Sequence, residues 1–180
     1  MNARIHKEFT FLSAIHFENK FMVNLYEMSA FMTINTEDAR EQNVAVERIS
    51  HFIENVLEKC IFVCDREKDA IEKYTKAGMT VCTIPEDPYD QIVGLVLMNK
   101  CNAIMEGRVE LNDVIFGSKL SNLIKFELNT EMAEDEFAGK HWWNDPTLCL
   151  ENKRNKKDKI VRLFEEKNDW ADLDLTWKEV

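Results

Sequence analysis

Glycine and proline are scarce in this chain, which has only 5 glycines and 3 prolines in 180 residues. Flexible interdomain linkers are usually rich in glycine and serine, and stiff linkers are rich in proline. No stretch of either kind is present. We therefore expect residues 1–180 to form a single domain, less regular over 130–180, whose apolar share of 45% is enough for a sizeable core.

Long apolar runs are also missing, because no segment approaches the roughly 18 apolar residues of a membrane span. The first residues, MNARIHKEFTF, lack the apolar core and small-residue cleavage site of a signal peptide. We therefore expect a cytoplasmic protein with no membrane partner. The 5 cysteines are an odd number and lie mostly in apolar stretches, which is typical of reduced, buried thiols.

Positive charge is in deficit: 23 Lys and Arg face 33 Asp and Glu, and the formal net charge is -10. Binding to the DNA backbone depends on neutralising phosphates with lysine and arginine. The charge balance therefore argues against duplex nucleic acid as a partner. An acidic surface is suited instead to a partner with a basic groove.

Known catalytic and metal-binding motifs are absent from the sequence. It has no GxxxxGK[ST], no GxSxG and no HExxH, and its 4 histidines follow no ligand spacing. Cys60 and Cys64 form a CxxxC within a predicted strand, where residues four apart lie about 13 Å from each other, too far to chelate zinc. We therefore expect no metal and no cofactor, and favour a protein that is not an enzyme.

Alternating and helical periodicities predict an α+β fold. Alternation over 5–17 indicates a strand, and the polar break at 18–20 indicates a hairpin into a second strand over 21–34. The apolar run CIFVC, the helical REKDAIEKYTKAG and the apolar MTVCTIP predict a βαβ unit with parallel strands, although it lacks the glycine-rich turn of dinucleotide-binding folds. We expect one mixed sheet with an N-terminal hairpin, this βαβ unit, and two long helices packed on it, at about 36–58 and 88–105.

The segment EDPYDQIVG contains three acids just before the most apolar helix. Asp87 fits the N-cap position of that helix, Pro88 fits its first position, and Asp90 then falls at the third, so capping accounts for these acids. The alternative is acid/base or metal chemistry. A second acid, Glu106, would lie about 24 Å along the same helix, too far to join Asp90 in one site.

Tyr89 and Gln91 have no capping role in that segment. We therefore predict that they face a ligand pocket at the helix N-terminus, where an anion would be favoured.

The segment KHWWND is the second candidate site. If it is a strand, Trp142 and Trp143 point to opposite faces, and one of them is free to stack on a base. A basic loop follows. An aromatic platform beside cations suits a nucleotide or a short single strand. The alternative is that the tryptophans pin an irregular segment to the sheet while the loop is solvated. The cations of the loop that would contact phosphate are Lys153, Arg154, Lys156 and Lys157.

The acidic run TEMAEDEF, over 130–137, could supply oxygen ligands to a divalent ion. It lacks the spacing of a calcium loop, so we favour a solvated helix turn or a mobile loop. A metal-dependent hydrolase that combines these acids with Asp87 and Asp90 is the weakest of the enzymatic hypotheses.

The segments QNVAVERISHFIENVL, TIPEDPYDQIVGLVL and CNAIMEGRVELNDV, with the tryptophan-containing tail, resemble an uncharacterised group of small proteins encoded by tailed bacteriophages. The resemblance runs from about Phe9 to the C-terminus and implies no site residues. It implies a host-cytoplasm setting and an accessory role, such as acting against host defence. The leading hypothesis is an acidic, oligomeric binding protein whose partner is a host protein; the alternative is a protein that binds or cleaves nucleotides.

Overall fold

The structure is a computed structural model that describes residues 3–122, 124–137 and 139–150. Within these residues, six strands form one mixed sheet in the order β4-β3-β1-β2-β5-β6. The predicted α+β class is confirmed. The strands are β1 (Arg4–Phe17), β2 (Lys20–Ile34), β3 (Cys60–Cys64), β4 (Thr80–Ile84), β5 (Val109–Ser118) and β6 (Lys125–Asn129), and the α-helices are α1 (Ala39–His51), α2 (Lys68–Lys76), α3 (Asp90–Met105) and α4 (Thr130–Phe137).

The predicted N-terminal hairpin is confirmed. β1 and β2 pair antiparallel along their whole length, from Arg4 opposite Thr33 to Phe17 opposite Lys20. The turn residue Asn19 has a φ of 61°, a left-handed conformation that two-residue hairpins require and that asparagine tolerates. The hairpin fixes the register of the centre of the sheet.

The predicted βαβ unit is also confirmed. β3 and β4 pair in parallel from Cys60 opposite Thr80 to Cys64 opposite Ile84, and α2 connects them. The helix buries Ala70 and Tyr74 against one face of the sheet, which we call the outer face. α2 reaches β1 and, through Tyr74, the Phe21 end of β2, and no described element covers the rest of the outer face of β2.

The two long helices cover the other face, which we call the inner face. α1 begins after Asp38, whose Oδ1 accepts the Arg40 N–H at 2.8 Å, and it passes into a π-helical turn at Phe52–Val56. α3 is the central helix and is buried on nearly every side, as its apolar sequence predicts. Gly94 lets it approach the sheet closely, since a Cβ there would lie 2.5 Å from Leu128 Cδ1.

The segment around the two tryptophans is not a strand. Trp142–Asn144 forms a 3₁₀ turn, so the condition under which the two rings would point to opposite faces of a sheet is not met. The acidic run at 130–137 lies on α4, which agrees with the first of the two structures expected there, a helix turn or a loop. A further predicted strand at 159–164 lies outside the described residues. Among the helices of the described ranges, none is both long and apolar enough to cross a membrane.

Candidate functional site

A cavity of about 420 Å³ lies at the N-terminal end of α3, and we call it the α3 pocket. Its volume falls within the range of roughly 300–1,000 Å³ that is usual for small-molecule sites. Tyr89 and Gln91 both line it, and that they bind a ligand stays a prediction. The other lining residues come from the β1–β2 hairpin, the start of α3, the segment after β5, and β6: Ile15, Phe17, Glu18, Lys20, Met22, Asn24, Pro88, Asp90, Leu120, Ser121 and Phe126.

The buried acid of the pocket is Asp90, and it does not have the capping role that the sequence suggests. The N-cap of α3 is Tyr89, and Asp90 is the first residue of the helix rather than the third. The Asp90 carboxylate accepts hydrogen bonds from Ser118 Oγ at 2.9 Å and from Ser121 Oγ at 2.7 Å. The capping prediction for Asp87 is therefore wrong, because two hydroxyls distant in sequence bind Asp90 and the chain before it stays extended.

Two buried polar atoms, Asn24 Nδ2 and the hydroxyl of Tyr26, make no hydrogen bond of regular geometry with a described residue. They lie close to each other, because a side-chain hydrogen bond from Asn24 acts on the pKa of Tyr26. The orientation of the Asn24 amide is fixed, because its Oδ1 accepts the Leu120 N–H at 3.3 Å and only an oxygen can do so. Native proteins pair nearly all such atoms, and the Asn24 amide and the Tyr26 hydroxyl are placed so that they can pair with each other.

The hydroxyl of Tyr26 lies near two residues of the pocket lining. Burial raises the pKa of Tyr26 well above its ordinary value, Asn24 opposes that rise, and the negative charge of Asp90 adds to it. Both effects require proximity. Asn24, Tyr26 and Asp90 therefore form a buried polar group at one side of the pocket.

The remaining walls of the pocket are mostly apolar and aromatic. The ring of Tyr89 is half-exposed and meets Phe17 edge to face, with the ring centroids 5.2 Å apart. Phe126 lines the pocket from β6. Lys20 and Glu18 stand in solvent as a weak pair with a nitrogen–oxygen distance of 4.0 Å. The pocket therefore combines aromatic walls with a few buried polar groups, as ligand sites commonly do.

A second surface lies on the uncovered outer face of the hairpin. Leu12, Phe21, Val23 and Leu25 alternate outwards there, and we call them the sheet patch. Val23 is 60% exposed, while Phe21 and Leu12 are about half-exposed. Leu12 lies directly opposite Leu25 in the register, and Phe21 continues the patch to the Tyr74 ring of α2, with centroids 5.9 Å apart. These side chains are therefore neighbours rather than scattered single residues.

The two candidate tryptophans are buried. Trp142 is 1% exposed and Trp143 is 3% exposed. Each indole N–H donates to a backbone carbonyl, that of Thr83 at 2.9 Å and that of Phe137 at 3.0 Å. Neither ring presents an open face to a base, and both attach the 142–150 segment to the core, as in the alternative that the sequence left open.

The four cations proposed to bind phosphate lie outside the described residues. They are Lys153, Arg154, Lys156 and Lys157. Their role stays a prediction.

Lys100 is a buried residue that sequence reasoning missed. Its side chain is fully buried in the middle of α3, and its ammonium donates to the carbonyl oxygens of Trp142, Asp145, Thr147 and Cys149 at 2.8 to 2.9 Å. Burial lowers the pKa of Lys100 to about 8, and the charge of Asp145 opposes that shift. The signal in the sequence was a single cation within the apolar run LVLMNKCNAIM.

Glu106 lies at the opposite end of α3 from Asp90. It ends the helix in a left-handed conformation and pairs with Arg48 and Arg108, whose Nη1 lies 2.6 Å from Glu106 Oε2. The hydrogen bond from Arg108 is the main cause of the lowered pKa of Glu106. Because α3 is continuous, Glu106 and Asp90 do not share a site.

Metal binding has no support among the described side chains. They contain no group of three or more His, Cys, Asp or Glu that could hold a metal ion. The side chains of residues 134–136 are not among those described.

Comparison with known proteins adds no relative to this description. A scan against protein-family models found no match, and a search of curated proteins found none either.

Proposed function

We propose that this chain is a non-enzymatic binding protein whose partner is another protein, engaged through the sheet patch. The observation that carries the proposal is the contiguous apolar surface on the uncovered face of the hairpin. Contiguous exposed apolar patches commonly mark interaction sites. Covering such side chains stabilises a complex by about 25 cal/mol per Å² of apolar surface removed from water.

The net charge of -10 supports a partner with basic groups around its own apolar contact. The phage-like segments described above support a host protein as that partner, and an accessory or anti-defence role in the host cytoplasm. Both points concern the nature of the partner. The location of the contact rests on the sheet patch alone.

The test compares the wild-type chain with Val23→Lys, which places a charge in the centre of the sheet patch. Thr80→Lys is the matched control, because Thr80 is also an exposed, β-branched strand residue but lies on the edge strand β4. We expect pull-down from a bacterial lysate to recover one protein with wild type and Thr80→Lys, and to lose it with Val23→Lys. Mixing the purified partner with the chain should then give a complex of defined mass by light scattering.

Two results would contradict the proposal. One is a wild-type chain that runs as a monomer and captures no partner. The other is a homo-oligomer that Val23→Lys dissociates while no other protein is captured, which would make the sheet patch a contact between copies of the chain.

A further inference from the structure

We propose that the α3 pocket binds a small organic cation, namely a protonated primary amine that carries an aromatic ring. This proposal does not rest on the sheet patch or on a protein partner. It rests on the buried carboxylate of Asp90, which lines the pocket without an opposite charge beside it, and on the aromatic walls.

The carboxylate of Asp90 is a buried charge that makes no ion pair. The residue is 7% exposed, and no ion pair joins it to a lysine, arginine or histidine of the described chain. Its partners are the neutral hydroxyls of Ser118 and Ser121. Buried charges in proteins are usually paired with an opposite charge. A cation bound in the pocket would supply that charge.

The Asp90 oxygen on the side of the pocket is Oδ2. It accepts a hydrogen bond from Ser121 Oγ at 2.7 Å, and Ser121 is itself a lining residue. Oδ1 accepts from Ser118, which is 2% exposed and is not part of the lining. Each oxygen binds one hydroxyl, whereas a carboxylate has about four acceptor positions in all. Oδ2 can therefore also accept an N–H from an ammonium group in the pocket, and such a charge-assisted hydrogen bond is strong.

The charges around the pocket favour a cation over an anion. A helix N-terminus is equivalent to about half a positive charge, and the full negative charge of Asp90 at the first position of α3 exceeds it. The other charged lining residues, Glu18 and Lys20, have opposite signs and lie 4.0 Å apart in solvent. The sum of these charges is negative. Asp90 is thus itself the anion that the sequence predicts at this helix end, and a second anion would be repelled.

The aromatic ring of the ligand is suited to the walls of the pocket. Phe17, Tyr89 and Phe126 are lining residues, and aromatic rings pack well against other rings, either offset or edge to face. The faces of such rings also attract a cation. Tyr89 is half-exposed, so its ring can move at the opening without disturbing the core. An amine that carries a ring would use both the carboxylate and the walls.

The experiment is isothermal titration of the full chain with tryptamine at neutral pH and low salt. Three comparison probes each change one property of tryptamine. Indole has the same ring without a charge, indoleacetate has the same ring with a negative charge, and butylamine has the ammonium group without a ring. We expect each of them to bind about tenfold more weakly than tryptamine or not at all, since the loss of a charge-assisted hydrogen bond or of a packed ring costs roughly that factor.

The variant Asp90→Asn connects the binding to the carboxylate, because it removes the charge and keeps the size of the side chain. It should weaken the binding of tryptamine about tenfold and leave that of indole unchanged. Asp113→Asn is the matched control, because it changes the net charge by the same amount at an exposed position on the outer face, opposite Phe31. It should leave the binding of tryptamine unchanged.

Two exposed lining residues provide variants that should keep the fold. Lys20→Gln removes the cation at the opening and should strengthen the binding of tryptamine about threefold, a gain that a purely structural role of Lys20 would not produce. Tyr89→Ala removes one aromatic wall and should weaken the binding about threefold.

The proposal is overturned if tryptamine does not bind, or if any of the three comparison probes binds as tightly. It is also overturned if Asp90→Asn binds tryptamine like wild type, or if Asp113→Asn weakens the binding as much. Circular dichroism shows whether Asp90→Asn is folded. If it is not, Lys20→Gln decides, and binding of tryptamine that is unchanged or weaker in that variant overturns the proposal.

Discussion

Asp90 and Lys100 are two buried charged residues of the same helix, ten positions apart, and their surroundings differ. The Lys100 ammonium has three protons and four carbonyl oxygens around it, so its hydrogen-bonding capacity is filled by the 142–149 segment. Asp90 is held by two serine hydroxyls and lies in the lining of a cavity.

This difference distinguishes a buried charge that is bound entirely by the chain from one that lies next to a cavity. A buried charge whose partners are all supplied by the chain stabilises the fold and has no capacity left for a ligand. A buried polar group with capacity to spare, next to a cavity, has a place for one. On this basis we assign Lys100 to the fold, whereas the Asp90 end of α3 adjoins a cavity.

The largest expected effect is from Lys100→Met, which tests the structural half of the comparison. The variant leaves four carbonyl oxygens without their donor in a site closed to water. We expect the free energy of unfolding to fall by about 3–5 kcal/mol, as when one partner of a buried charged contact is removed. Urea unfolding followed by tryptophan fluorescence measures it, because Trp142 and Trp143 lie on the segment that Lys100 holds.

The control is Lys76→Met, which removes an exposed lysine that pairs with Glu72 on α2. Its unfolding midpoint should stay close to that of wild type. If Lys100→Met were as stable as this control, the four carbonyls would have to be satisfied by water, and the contrast between the two buried charges would disappear.

The second prediction concerns Asp90→Ala, which leaves the Ser118 hydroxyl without its acceptor. We expect a loss of about 1–3 kcal/mol in the free energy of unfolding, the usual cost of a buried polar group left unpaired. The loss is smaller than for Lys100→Met because Ser121 Oγ can still donate to the Ser118 carbonyl, 3.0 Å away. Asp90→Asn keeps one oxygen acceptor and should fall between wild type and Asp90→Ala in the same unfolding experiment.

The third prediction follows from the lowered pKa of Lys100. The pKa of Lys100 is about 8 in the folded chain, and its ordinary value is 10.5. At a pH between these two values, Lys100 keeps its proton in the unfolded chain and has released it in the folded chain. The free energy of unfolding therefore rises with pH in this window, and the gap between wild type and Lys100→Met should widen by about 1 kcal/mol from pH 8 to pH 9. Below pH 8 both states carry the proton and the gap should be constant.

Unfolding curves for the two proteins at half-unit pH intervals provide the measurement. A gap that stays constant up to pH 9.5 would mean that the four carbonyl oxygens offset the cost of burial and keep Lys100 charged. That result would contradict the lowered pKa and leave the structural role of Lys100 intact.

The smallest effect is expected from Tyr26→Phe, which tests whether the Tyr26 hydroxyl and the Asn24 amide pair with each other. Removing a buried hydroxyl that makes no hydrogen bond of regular geometry should leave the free energy of unfolding unchanged or raise it by up to about 1 kcal/mol. Phe11 and Phe116 stack on the Tyr26 ring and hold it in place in both proteins. A loss of more than 1 kcal/mol in urea unfolding would show that the hydroxyl has a partner in the apo protein.

The strands and helices of the fold could be predicted from local sequence patterns. The alternation over 5–17 and the polar break after it predict the hairpin, because a strand with one buried face must alternate. The buried strands at 60–64 and 79–85 and the helix between them predict the parallel pair, because a short crossover has one favoured hand. The apolar circumference of 88–105 predicts a central helix.

The residues of the candidate site and their contacts could be predicted from the sequence only in part. Tyr89 and Gln91 were singled out because capping did not require them, and both line the α3 pocket. The role of Asp90 was misread, because its partners Ser118 and Ser121 lie about 30 positions away and local rules supply only the nearest available task. For the tryptophan pair the sequence left two alternatives open, and the 3₁₀ turn places both indoles in the core.

The sequence by itself determined the strands, the helices and the parallel crossover, because periodicity and turn residues act over a few neighbouring positions. It also determined the acidic net charge, which is the sum of the charges of the individual residues. The tertiary structure alone decided the partners of the two buried charges. The hydrogen-bond partners of a buried charge come from parts of the chain that are distant in sequence. A local sequence pattern therefore does not predict which groups these partners are. The ammonium of Lys100 is bound by carbonyl oxygens of 142–149, and the carboxylate of Asp90 is bound by the hydroxyls of Ser118 and Ser121.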